Sequence, residues 1–257
     1  MPARSLFCAA KRSTIDVTGR PALACAGALL ACLALPARTH DLITGEAAER
    51  YLAQADEQIT LLDARQPAAQ RAQASYALGR MLDEIRDLLN RDLATHGRVQ
   101  GLPTQRLMAE LDARGLRLSV SPQLKRFPAN LEYYRAALRL APDGPRAADA
   151  AFALLQGYFY DSFADDPLQP RDQSWNRLAE QIALGERFLE RAPAHPEREE
   201  AEFILMVHYV QAARSAPDAT ARTRYAQRAR EAAGRFAARY PDSMRAAALP
   251  VLLEHLR

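Results

Sequence analysis

Cysteine is confined to the start of this chain, at Cys8, Cys25 and Cys32. The rest has none, which excludes disulfides, a thiolate nucleophile and cysteine-based metal ligation there. Lysine is nearly missing as well. Lys11 and Lys125 are the only two, so arginine carries the basic charge. No apolar run reaches the roughly 20 residues that a membrane-spanning helix needs. A Gly-rich phosphate loop, a GxSxG nucleophile elbow and an HExxH zinc motif are all lacking. An excess of one charge over the body is lacking too. Arg4, Lys11, Arg12 and Arg20 against Asp16 account for the whole net charge of +3. A neutral body exerts little long-range pull on phosphate, which disfavours nucleic acid as a partner.

What is present begins with residues 1–37. Basic residues precede Pro21 to Ala37, an uncharged, Ala- and Leu-rich stretch. A positive start, a short apolar core and small residues near its end describe a secretory signal segment. It has two readings. Cleavage after Ala37 releases a soluble protein. The alternative is a lipobox, Leu29-Leu30-Ala31-Cys32, in which Cys32 carries a lipid and is the only membrane attachment. The chain as a whole is 49% hydrophobic and 25% charged, which suits a folded protein and argues against disorder.

Residues 38–125 read as helical. Ala48, Leu52, Ala55, Ile59 and Leu62 share one face of a helix predicted over 46–63, entered at Thr44 and broken at Gln66-Pro67. A second helix is predicted over 68–93, with Ala74, Leu78, Leu82, Ile85 and Leu89 in a stripe. A short helix over 104–114 closes on Gly115. Leu116, Leu118 and Val120 alternate with Arg117 and Ser119, which predicts a brief extended segment against the helices. Pro122 and Pro128 bracket a linker, and a soft boundary falls near Lys125.

Residues 126–257 carry a recurring pattern. An amphipathic helix, a Pro-containing turn and an Ala-rich second helix occur three times, with turns at Pro142, Pro193 and Pro241. Ala137, Phe188 and Phe236 stand five residues before these prolines. Ala150, Ala201 and Leu249 stand eight after, and Phe152, Phe203 and Val251 ten after. Pro ends each first helix because it removes a donor and restricts the residue before it. A periodic helix–turn–helix marks stacked units that bury their apolar faces only against neighbours.

Two of these segments carry a resemblance. Phe188-Leu-Glu-Arg-Ala-Pro193-Ala-His-Pro196 with Ala201-Glu-Phe203, and Phe236-Ala-Ala-Arg-Tyr240-Pro241-Asp-Ser243, resemble the tetratricopeptide-like repeats of bacterial envelope proteins. They are most similar to those of the outer-membrane-assembly lipoprotein of the barrel-assembly (Bam) complex. The resemblance covers about residues 130–257. It implies an all-α fold, a TPR-like α-solenoid of helical hairpins preceded by a signal segment. It also implies a periplasmic protein, anchored to the outer membrane if lipidated, that serves as a non-enzymatic adaptor for protein partners in outer-membrane protein assembly. The spacings of 51 and 48 residues between the prolines exceed the tetratricopeptide period of about 34, so the units need longer helices or connections.

Few side chains suggest chemistry. His195 and His208, flanked by glutamates, lack metal-ligand spacing, and His208 reads as an inter-helix core residue. Asp161, Asp165 and Asp166 lack the order of a calcium loop. The residues predict no catalytic group, no metal and no cofactor. The aromatic-rich region offers a concave partner groove anchored by Tyr133, Tyr134, Tyr158, Tyr160 and Trp175, with Phe152 and Phe159 in the core. Two alternatives remain open: a helical envelope enzyme or enzyme subunit, for example one acting on peptidoglycan, and a structural homo-oligomer. Carboxylates in a deep cavity would favour the enzyme.

Overall fold

The structure, a computed structural model, describes residues 42–162 and 175–256, which fall in one compact unit. Among the described residues the chain is all-α. The signal segment and Cys32 lie outside them, as do Asp165 and Asp166.

The N-terminal part is built from α1 (Gly45–Leu61), α2 (Ala68–His96) and α3 (Leu102–Ala113). Thr44 caps α1, its Oγ1 accepting the Ala47 N–H at 3.2 Å. That satisfies one of the donors a helix start leaves unpaired. Pro67 opens α2, and Gly97 ends it in the left-handed region at φ 71. The α3 terminus is a Schellman motif. Gly115, at φ 77, donates to the Asp112 carbonyl, and Leu116 donates back to Leu111 at 2.8 Å. Leu116 is thereby turned into the core beside Leu111. The predicted stripe of α2, Ala74, Leu78, Leu82, Ile85 and Leu89, is all buried, the last four in one cluster with Leu107 and Leu111. Each such side chain contributes about 1.5–3 kcal/mol on burial.

The extended segment predicted at 116–120 does not form a strand. An isolated antiparallel bridge, Ser121 to Arg126, is the β-pairing found among the described residues. Leu116 and Leu118 are buried, but no second strand is at hand to satisfy the backbone, so the stretch remains a loop.

The remaining helices are α4 (Leu131–Leu140), α5 (Ala147–Ser162), α6 (Trp175–Arg191), α7 (Arg198–Ser215), α8 (Ala219–Arg239) and α9 (Leu249–Glu254), the last preceded by a 3-10 turn at Ala246–Ala248. From α4 onward each helix packs against the next in sequence. In addition α2 lies along α4, α5 touches α7, and α7 touches α9.

The three turns have one backbone pattern. Ala141, Ala192 and Tyr240 each donate to the carbonyl four residues back, at Ala137, Phe188 and Phe236. Three residues on, Gly144, His195 and Ser243 donate to Ala141, Ala192 and Tyr240. A further three on, Ala147, Arg198 and Ala246 donate to Gly144, His195 and Ser243. The side chains repeat as well: Ala137, Phe188 and Phe236 are all buried, as are Ala150, Ala201 and Leu249. The pattern is incomplete ten residues after the prolines, where Phe152 is buried, Phe203 half-buried and Val251 exposed. The short α9 has no following helix among the described residues to cover Val251.

The middle of α7 is buried all round: every position from Ile204 to Ala212 is buried, and Ala201 before them. A helix enclosed by α5, α6, α8 and α9 needs no polar face. By contrast α4 and α6 bury one side, through Tyr134 and Ala137 and through Leu178, Ile182, Gly185 and Phe188, and leave the other to solvent. Small residues set the crossings. A Cβ on Gly157 of α5 would fall 2.4 Å from the Leu131 side chain of α4, and one on Gly185 of α6 3.2 Å from Leu205 of α7.

Candidate functional site

The half-open faces of α4 and α6 converge on a groove of about 360 Å³ that α5 closes from below. Helical spacing brings each contributor to it. Arg135, Leu138 and Arg139 are i, i+3 and i+4 on α4. Leu154 and Tyr158 are i and i+4 on α5. Arg177, Glu180, Leu184 and Arg187 descend one side of α6. Leu154 is buried and Leu138 and Leu184 half-buried, so the floor is aliphatic and the walls are arginine.

Tyr158 organises one end. Its hydroxyl accepts from Arg135, Nε at 2.9 Å and Nη2 at 2.6 Å. The guanidiniums of Arg135 and Arg177 lie 5.3 and 5.5 Å from its ring centroid. A cation at that distance is held by the ring quadrupole. Arg139 and Arg187 are exposed and make no ion pair among the described residues. Among the described residues four guanidiniums face one carboxylate, Glu180, which makes this lining electropositive.

Of the five aromatic residues expected in a groove, Tyr158 alone lines this one. Tyr134 is a correction: it is fully buried and presents nothing to a partner. Its ring sits against Gly79 and 5.9 Å from the Tyr76 ring, and its hydroxyl donates to Asp83 at 2.6 Å. Burial first, then the Asp83 charge, pushes its phenol far up. The reason is the concavity that Gly79 leaves in α2, which a tyrosine ring fills. Tyr133 is half-buried against the N-terminal core. Trp175 packs edge-on against Tyr225 of α8 at 5.8 Å. Tyr160 is 47% exposed, but it sits apart from the groove, its hydroxyl 3.4 Å from Glu200 of α7. Phe152 and Phe159 are in the core as expected.

The sequence does not single out the wall arginines. Their only signal is arginine spacing on two strongly amphipathic helices, which looks the same as an ordinary solvated face.

Other charged groups are tied into the fold. Asp83 accepts from Arg86 at 2.7 Å as well as from Tyr134. Asp161 accepts the Ala129 N–H at 3.0 Å and faces Arg126. Burial raises both carboxyls above the ordinary range. Neither lines the groove. His208 is fully buried in α7, and desolvation pushes its imidazole down to about 3, so it is neutral in the fold. His195 lies 3.1 Å from Asp149. Among the described residues no three His, Cys, Asp or Glu side chains come together as a metal site, and no helix is long and apolar enough to cross a membrane. No family model, curated protein or solved structure matches this chain.

Proposed function

We propose that this chain is a non-enzymatic protein-interaction scaffold of the bacterial cell envelope, in which α4 to α9 act as TPR-like hairpin repeats of an α-solenoid. The observation that carries the reading is the recurrence of one hydrogen-bonded turn at Ala141, Ala192 and Tyr240 with the same buried positions around it. A turn with the same hydrogen bonds starts each second helix alike, so successive hairpins nest against their neighbours.

Coupling between the units supports it further. The second turn reaches back through His195 to Asp149 at the start of α5. The third reaches back to the start of α7, where Ser243 donates to Glu199 at 2.6 Å and Arg245 to Glu200 at 2.8 Å. Each unit thus fixes its predecessor, which holds exposed helix faces rigid. A rigid face binds a partner without first losing conformational freedom. The proposed setting is the periplasm, with export through residues 1–37 and outer-membrane anchoring if Cys32 is lipidated, and the proposed task is outer-membrane protein assembly.

The test is a crosslinked affinity purification of the tagged, natively exported protein from bacterial envelopes, read by mass spectrometry. Enrichment of barrel-assembly components is the expected result. Recovery of the protein alone, under conditions that capture a known envelope complex, overturns the adaptor role.

A further inference from the structure

We infer that the arginine-walled groove between α4, α5 and α6 is a docking site for an acidic protein segment in which carboxylate and aliphatic side chains alternate. The inference rests on the scaffold reading and adds the chemistry of the partner.

The argument is charge and shape complementarity within one small site. Arg139 and Arg187 stand on opposite walls, exposed and without an ion-pair partner among the described residues. Several arginines that face a neighbouring element are paired instead: Arg114 with Asp56, Arg228 with Glu186, Arg245 with Glu200. Holding guanidiniums together unpaired costs repulsion, which an incoming anion relieves. Arginine suits a carboxylate because its planar fork donates two parallel hydrogen bonds and sheds water readily.

The floor decides among anions. Leu138, Leu154 and Leu184 offer aliphatic contact, which takes a leucine or valine side chain. They form no aromatic platform for a stacked base. Arg135 and Arg177 are already held against Tyr158 and mark one end of the site. An extended segment sends alternate side chains to opposite sides, so it can set carboxylates on the walls and an apolar side chain on the floor at once.

The experiment uses the full chain and a short fluorescein-labelled peptide alternating Asp and Leu, followed by fluorescence anisotropy. Control probes alternate Lys with Leu and Asp with Ser. Binding of the Asp/Leu peptide is expected, with weaker binding of Asp/Ser and none of Lys/Leu. R139E/R187E should weaken it about tenfold or more, as loss of two central charged contacts does, with an unchanged melt. Raising salt from about 50 to about 300 mM should weaken it too, because the walls are solvent-exposed.

Equal binding by R139E/R187E overturns the inference, as does failure of the Asp/Leu peptide to bind. Tighter binding of anionic vesicles or single-stranded DNA through the same arginines also overturns it, in favour of a membrane or nucleic-acid surface. The two readings separate in the envelope purification. If wild type and R139E/R187E capture the same partner equally, the groove falls and the scaffold stands. If wild type captures nothing, the scaffold reading falls.

Discussion

The imidazole Nε2 of His195 lies 3.1 Å from the Asp149 carboxylate, 46 residues earlier in the chain, and joins the second inter-helix turn to the helix that follows the first. The same ring packs 5.0 Å from Phe188 and 5.8 Å from Phe152. One side chain therefore closes a polar link and fills an aromatic contact between two hairpins. His195→Ala removes both, and a cost of about 2–4 kcal/mol is expected from the missing hydrogen bond and the cavity. The check is a double-mutant cycle with Asp149→Ala in urea. Independent, additive costs would show that the two side chains do not couple the units.

A second expectation concerns packing where α2 meets α4. A Cβ on Gly79 would stand 2.9 Å from two ring carbons of Tyr134, whose hydroxyl is held by Asp83. The ring is fully buried and cannot swing aside. Gly79→Ala should therefore destabilise by about 1–3 kcal/mol through overpacking, exceeding the gain of about 1 kcal/mol in helix propensity. Gly234 in α8 has nothing within 4 Å of such a Cβ, so Gly234→Ala should stabilise by about 0.5–1 kcal/mol. Thermal melts of the two variants should move in opposite directions. A shift of the same sign in both would mean that Tyr134 does not seat against Gly79.

These two sites show how unevenly the sequence disclosed the molecule. The turns were legible because proline acts locally: Pro142, Pro193 and Pro241 stop a helix wherever they stand. The stripe of α2 was legible because its apolar face meets a single neighbouring core. The periodicity of α7 was not, since a helix surrounded by neighbours has no stripe to read. Tyr134 was misplaced for a nonlocal reason. Only the missing side chain of Gly79, in a distant helix, makes room for it. The groove failed in the same way. Arg139 and Arg187 look like solvated charges until α5 brings Tyr158 and Leu154 between them.

The pH dependence of stability should carry the mark of His208. An unfolded histidine titrates near 6.5, whereas burial holds the folded one down to about 3. Its folded pKa is depressed, so its contribution is intact above about pH 6.5 and declines as pH falls toward 3. In that window the unfolded chain takes up a proton that the folded one refuses, at about a tenfold drop in the folded-to-unfolded ratio per pH unit. Asp83 and Asp161 work the other way. Their folded pKa values are raised, so what they contribute is fully present below the ordinary carboxylate range and disappears as pH rises through the raised values. His208→Leu should flatten the stability profile between about pH 6.5 and 4, measured by urea unfolding across pH. A profile as steep as that of the wild type would assign the slope to other groups.

The shared core makes a prediction about truncation. Removing residues 224–257 deletes most of α8 and all of α9. Tyr225, Ala229, Ala233 and Phe236 are buried against the rest, with Phe236 6.2 Å from Phe203 and Tyr225 6.1 Å from Tyr209. Each large apolar side chain removed from this core takes away about 1.5–3 kcal/mol, so together they reach a sizeable part of a typical stability of about 5–15 kcal/mol. The cut also exposes one side of α7, whose buried run from Ile204 to Ala212 is mostly apolar. A lower melting temperature, binding of a hydrophobic dye and poorer solubility are expected. Removing 246–257 instead uncovers only what Leu249 and Leu252 protect, and should cost much less. The graded response is the signature of units that stabilise one another in sequence. An unchanged melt for the longer deletion would mean that the hairpins fold without their neighbours, and the stacked arrangement would have to be abandoned.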